Sequence, residues 1–86
     1  RVRLAASSQR LAEMLAPLGR VQRTALFCTV GGDDASLSVT ALADHFARRG
    51  ILVRRFDLHG LIRFGLPGGE GEWQRLATAV AEWRAP

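Results

Sequence analysis

Apolar side chains recur at helical spacing near the start of the chain. They are the four leucines Leu4, Leu11, Leu15 and Leu18. Pro17 and Gly19 interrupt the pattern directly afterwards, as residues that end helices do. We therefore expect a helix from about Leu4 to Leu18 that buries one leucine-rich face.

A second helical pattern lies in the middle of the chain. Its apolar positions follow the i, i+3, i+4, i+7 spacing of one buried face: Val39, Leu42, Ala43 and Phe46. Asp33, Asp34 or Ser36 is a suitable N-cap, and Gly50 is suited to end the helix. The sequence predicts a helix over about Ala35–Arg49.

A third helix is expected to begin near Glu70 to Glu72, whose negative charges suit a helix N-terminus. Its predicted buried stripe consists of Trp73, Leu76, Ala77, Val80 and either Trp83 or Arg84. The two tryptophans are thus expected to pack in the core and at its edge.

Three apolar runs between these helices are short and bounded by turn residues, as strands are. Val21–Val30 is rich in β-branched and aromatic residues and precedes a Gly-Gly-Asp-Asp turn signal. Gly50–Phe56 and Leu61–Gly68 follow the second helix and are joined by the four-residue turn Asp57–Gly60. We expect them to pair as neighbouring strands.

The predicted element order is helix–strand–helix–strand–strand–helix over a single domain, residues 1–86. This order is typical of an α+β fold: a small sheet of about three strands with helices mainly on one face. The chain does not begin with Met and starts within a helical pattern, so we expect it to be a piece of a longer protein.

Arginines interrupt the last two predicted strands. Alternation along a strand places Leu61, Arg63 and Gly65 on one side, and pairing of the strands would let Arg54 point to the same side as Arg63. An arginine among apolar residues needs an anionic partner when it is desolvated, and no obvious internal acid is available. The glycine would allow close approach of a ligand. The alternative is that each arginine extends from an edge strand into solvent.

Composition narrows the possible partners. The net charge is +4 and all 12 basic residues are arginine, since the chain has no lysine. These arginines are scattered along the chain, which favours solvated faces over a nucleic-acid stripe. No apolar run approaches the length of a membrane span, and no secretory signal is evident. The only cysteine, Cys28, lies in an apolar run and is expected to be a buried, reduced side chain, which is compatible with the cytoplasm.

No catalytic or metal site is evident in this chain. His45 and His59 have no Cys, His or carboxylate at metal-ligand spacing, so both are expected at the surface. No nucleophile–base pattern is present, and Gly69-Glu70-Gly71 is too short to form a phosphate-binding loop.

The segments Gly50–Arg54, Leu61–Gly68 and Glu72–Leu76 carry a resemblance to a known family. They resemble the C-terminal small domain of the class I/II aminotransferases, the pyridoxal-phosphate (PLP) enzymes of fold type I. Within that family, the similarity is to the cobalamin-biosynthesis branch that contains the threonine-phosphate decarboxylases. The distinctive part is Arg-Phe-Gly-Leu-Pro-Gly followed by Trp-Gln-Arg-Leu.

The resemblance implies roles for two residues. Arg63 matches the arginine that binds the substrate α-carboxylate, and Arg54 matches one that helps to hold the substrate's anionic groups. The resemblance assigns no role to Arg55. It implies a small anionic amino-acid substrate and an upstream PLP-binding domain. In such an enzyme, the domain would orient the substrate so that one bond at Cα is broken.

A PLP enzyme requires a lysine for its Schiff base, and this chain has none. We therefore expect no catalytic or cofactor-binding residue within the chain and no activity of the chain alone. A histidinol-phosphate or other class I/II aminotransferase is the nearest alternative. A free-standing module that binds anions, or RNA through Phe27, Phe56 or Phe64, is an alternative of another class. Self-association into a homodimer is also left open.

Overall fold

The computed structural model describes residues 2–24, 26–31, 38–56 and 59–84. Helix α1 (Val2–Leu15) is followed by a 3₁₀ turn (Ala16–Leu18) and by strands β1 (Val21–Arg23) and β2 (Phe27–Gly31). Helix α2 (Val39–Ala47), strands β3 (Arg54–Phe56) and β4 (Leu61–Gly65), and helix α3 (Glu70–Glu82) complete the chain. The α+β class is confirmed.

The strands form one antiparallel sheet in the order β1-β2-β4-β3. The sheet has four strands where about three were expected, because the single strand predicted over Val21–Val30 is a hairpin. Thr24 closes its turn: the Thr24 amide donates to the Phe27 carbonyl at 2.8 Å, and the Phe27 amide donates to the Thr24 hydroxyl at 3.2 Å. A threonine turn of this kind lacks the Gly, Pro or Asn that marks most tight turns.

The helices cover one face of the sheet, as predicted. On the two central strands, Cys28, Val30, Ile62 and Phe64 point into the core and are fully or almost fully buried. The rings of Phe46 on α2 and Phe64 on β4 meet edge to face at 5.0 Å. The alternate positions of the same strands therefore form the other, uncovered face, which we call the open face.

Helix α1 buries the predicted leucine stripe. Leu11 and Leu15 are fully buried, and Leu18 is buried in the 3₁₀ turn that follows. The Ser8 hydroxyl donates to the Thr24 carbonyl and ties α1 to the β1–β2 turn.

Helix α2 buries all four predicted core residues, from Val39 to Phe46. Its N-cap is Ser38, whose hydroxyl accepts a hydrogen bond from the Ala41 amide at 3.2 Å. The prediction of a cap at Asp33, Asp34 or Ser36 is thus wrong in position, and those residues lie outside the described part. Gly50, with a φ of 76°, follows the helix in a conformation that favours glycine.

Helix α3 begins at Glu70, as predicted, and buries Trp73, Leu76 and Ala79. Ala77 was expected in this stripe but is exposed, because the buried positions advance by three residues at each step. Val80 and Trp83 are half-buried against the core, so the packing role of both tryptophans is confirmed.

A side chain from α2 binds the backbone at the C-terminal end of α3. The Trp83 amide donates to the Val80 carbonyl and not to the Ala79 carbonyl, which would be its partner in a regular α-helix. His45 Nε2 lies 2.7 Å from this Ala79 oxygen, and the His45 ring contacts Trp83 edge to face at 5.2 Å. His45 is therefore an interhelical contact rather than the surface residue expected, whereas His59 is exposed as predicted.

Two ion pairs join the helices at their exposed rims. Arg10 binds Glu70 through two hydrogen bonds of 2.8 and 3.1 Å, and its guanidinium lies 4.2 Å from the Trp73 ring centre. Arg49 binds Glu82 at 2.8 Å. Each arginine lowers the pKa of its carboxylate partner, chiefly through the hydrogen bond. Among the described residues, no helix is both long and apolar enough to cross a bilayer.

Candidate anion-binding site

Arg54 and Arg63 lie directly opposite each other on β3 and β4. Directly opposed residues of antiparallel strands share a face and bring their Cβ atoms to roughly 5 Å. The expectation that the two arginines share a side of the sheet is therefore confirmed. They lie on the open face, away from the helices.

The same row continues across the sheet. Thr29 on β2 is opposite Arg63, and Gln22 on β1 is opposite Thr29. We call this set the polar row: Gln22, Thr29, Arg63 and Arg54. It crosses all four strands. The Thr29 hydroxyl donates to the Gln22 carbonyl at 3.4 Å, so the donors that the row offers to an anion are the two guanidinium groups and the Gln22 side-chain amide.

Sequence reasoning missed half of the polar row. Alternation with Cys28 and Val30 along β2 was a usable signal for Thr29. The position of Gln22 could not be predicted in this way, because it depends on the β1–β2 hairpin, which was predicted as one strand.

Two aromatic rings flank the row. The Arg63 guanidinium carbon lies 4.5 Å from the ring centre of Phe27 and 5.5 Å from that of Phe56. The guanidinium carbon of Arg54 lies 5.4 Å from the same Phe56 ring. All three separations are within the range of cation–π attraction.

Carboxylates are segregated from this face. The described part of the chain contains five acidic residues, all of them on helices: Glu13, Asp44, Glu70, Glu72 and Glu82. Within that part, no ion pair involves Arg54 or Arg63, whereas Arg10, Arg48 and Arg49 all have acidic partners. Like charges placed directly opposite each other on a sheet destabilise it, so this pair favours an anion from outside the described residues.

Gly65 leaves the space beside Arg63 open. It is opposite Phe27 and exposed, and a Cβ atom built on it would meet no heavy atom within 4 Å. Packing among the described residues therefore does not require glycine at this position, and close approach of a ligand there stays a prediction.

Other residues singled out from the sequence lie elsewhere. Arg55 is opposite Ile62, on the helix-covered side, and donates to the Thr40 hydroxyl at 2.8 Å. Phe64 is buried and cannot serve as an exposed stacking surface. Cys28 is fully buried, as predicted, and burial raises the pKa of its thiol. In the described ranges, no cluster of His, Cys, Asp or Glu could hold a metal ion.

This chain lacks the residue type to which the PLP cofactor is covalently bound. That cofactor is held by a lysine amine, and the chain contains no lysine. What the open face offers is a pair of planar, permanently charged forks suited to carboxylate or phosphate oxygens.

The chain is 40% identical to the threonine-phosphate decarboxylase of Pseudomonas aeruginosa, over 86 residues. The chain is homologous to a segment of this PLP-dependent, aminotransferase-like enzyme of fold type I. The alignment covers 98% of the chain but only 25% of the decarboxylase, so the chain spans about a quarter of the length of its relative. The family resemblance inferred from the sequence is thus confirmed. No family model and no solved structure matches the chain.

Proposed function

We propose that this chain is the C-terminal small domain of a PLP-dependent enzyme of the threonine-phosphate decarboxylase type, and that its open face orients the substrate. The observation that carries the proposal is the pair Arg54 and Arg63, directly opposed and without a described acidic partner. The homology to the decarboxylase supports it independently.

Arg63 binds the substrate α-carboxylate in this proposal. The guanidinium forms two parallel hydrogen bonds with the two carboxylate oxygens, which fixes both the position and the rotation of that group. Arg54 binds a second anionic group of the same molecule, such as its phosphate. Two anchored groups hold the amino acid in one orientation and reduce the entropy lost on reaching the reactive geometry.

The cofactor, its lysine and the proton-transfer groups belong to an upstream domain in this proposal. PLP supplies the electron sink for the reaction when it is bound there. The chain alone is expected to be inactive. The proposal also places the full-length enzyme in cobalamin biosynthesis.

The test uses the full-length protein that contains this chain, with Arg63→Ala, Arg63→Lys and Arg54→Ala variants. A hydrogen-bonded charged partner contributes about 1.5–3 kcal/mol, so Arg63→Ala should raise KM by about 10- to 150-fold. Arg63→Lys should recover only part of the loss, because an ammonium cannot form the paired hydrogen bonds.

Arg48→Ala is the matched control, since Arg48 is an exposed arginine paired with Asp44 on the helical side. The cofactor absorbance should stay unchanged in every variant. Unchanged kinetics of Arg63→Ala would remove the carboxylate-binding role.

A histidinol-phosphate or other class I/II aminotransferase is the nearest alternative, and product analysis separates it. A decarboxylase releases carbon dioxide, whereas an aminotransferase converts the amine of its substrate to an oxo group. An RNA-binding module has one observation in its favour, because Phe27 and Phe56 flank arginines on an uncovered sheet face. Oligonucleotide binding that weakens steeply with salt would support that alternative.

A further inference from the structure

Of the two aromatic rings that contact the Arg63 guanidinium, that of Phe27 is the nearer, and the hydrophobic core does not use it. Its ring centre is 4.5 Å from the Arg63 guanidinium carbon, and it lies on the open face, whereas the next residue, Cys28, points to the core. The core and the half-buried apolar residues packed against it do not include Phe27. Its ring therefore needs an explanation other than packing of the helices on the sheet.

The sheet register places the ring where it can act on the guanidinium. Phe27 is opposite Gly65, whereas Thr29, two residues further along β2, is opposite Arg63. The ring is thus a diagonal neighbour of Arg63, a separation that long and aromatic side chains bridge. Because Gly65 has no side chain, nothing on β4 stands between the ring and the arginine.

An aromatic ring and a carboxylate hold a guanidinium in different ways. A carboxylate accepts hydrogen bonds from the same N–H groups that would bind a substrate. A ring face attracts the positive charge and leaves those N–H groups available to a ligand. It also restricts a long, flexible side chain before the ligand arrives, which lowers the ordering cost of binding.

We propose that Phe27 is a positioning residue that holds the Arg63 guanidinium for anion binding. Phe56 contributes less to Arg63, because its ring is 5.5 Å away and is shared with Arg54. The inference rests on the proposed function, since it assumes that Arg63 binds the substrate.

The test measures steady-state kinetics of the full-length protein with Phe27→Leu, Phe27→Met, Phe27→Tyr and Phe27→Trp. Loss of one cation–π contact at a half-exposed site should raise KM about two- to fivefold in the Leu and Met variants, with kcat little changed. The Tyr and Trp variants should keep KM near that of the parent, because each retains a ring face. Two non-aromatic variants guard against one of them failing to fold.

A double-mutant cycle with Arg63→Ala separates positioning from a purely structural role. In the Arg63→Ala background, Phe27→Leu should cause no further rise in KM, since there is no guanidinium left to position. An equal rise in both backgrounds would overturn the inference. So would a KM that is the same for the aromatic and the non-aromatic variants of Phe27.

The same data distinguish the two proposals. If Arg63→Ala leaves KM unchanged, the proposed function itself fails. If Arg63→Ala raises KM and Phe27→Leu does not, only the positioning role of Phe27 is lost.

Discussion

Replacement of His45 by alanine tests the interhelical contact that sequence reasoning missed. The change removes the hydrogen bond to the Ala79 carbonyl at 2.7 Å and the edge contact with Trp83 at 5.2 Å. It leaves the Ala79 oxygen without this donor at the end of α3.

The magnitude follows from these two contacts. The hydrogen bond contributes about 0.5–1.5 kcal/mol and the aromatic contact a similar amount. Alanine is a better helix former than histidine and returns about 0.5 kcal/mol. The net loss is about 0.5–2.5 kcal/mol in the free energy of unfolding. For a domain of this size, that loss lowers Tm by about 2–20 °C.

Urea and thermal unfolding of the purified chain, followed by circular dichroism, measure the loss. His59→Ala is the matched control, because His59 is the other histidine and is exposed in a turn. His45→Gln should recover part of the loss, since its amide can donate to the same carbonyl. If His45→Ala and His59→Ala unfold alike, the contact does not stabilise the domain and the reasoning is wrong.

Three further predictions concern single positions. Gly65→Ala should leave Tm of the chain within about 2 °C, because a Cβ meets nothing there, but should raise KM of the full-length protein; unchanged KM would show that no ligand approaches this backbone. Cys28 should react slowly with a thiol reagent until the chain is unfolded, because it is fully buried and its pKa is raised; rapid labelling of the folded chain would contradict this. Arg10 lowers the pKa of Glu70 below its ordinary value of 4.5, so the stability gained from this pair is present above that pH and is lost as the pH falls through the lowered pKa. Glu70→Gln should therefore make unfolding less sensitive to pH in that acidic window than it is in the parent, and equal acid sensitivity of the two proteins would refute the role of the pair.

Periodicity predicted the elements that bury a continuous apolar face. The stripe of α2 from Val39 to Phe46 and the alternation of Ile62, Arg63 and Phe64 both follow from side-chain geometry of the backbone alone. The shared side of Arg54 and Arg63 followed from the same alternation once the strands were paired. These predictions held because each depends only on residues close together in the sequence.

The errors arose where distant residues decide the outcome. The turn at Thr24 is made by a hydroxyl and by the contact of that turn with Ser8 on α1, so the local sequence gave no strong turn signal. His45 looked like a surface residue because its partners, Ala79 and Trp83, are more than thirty positions away. The substrate-binding role of the arginines remains a prediction.

Because the helices cover only one side of the sheet, alternate positions along each strand face either the packed core or the open face. Substitutions at Cys28, Val30, Ile62 or Phe64 must fit a packed interior. Those at Thr29 or Arg63 change only contacts along the open face. Substitutions on the open face can therefore change what that face contacts while the packed interior stays the same.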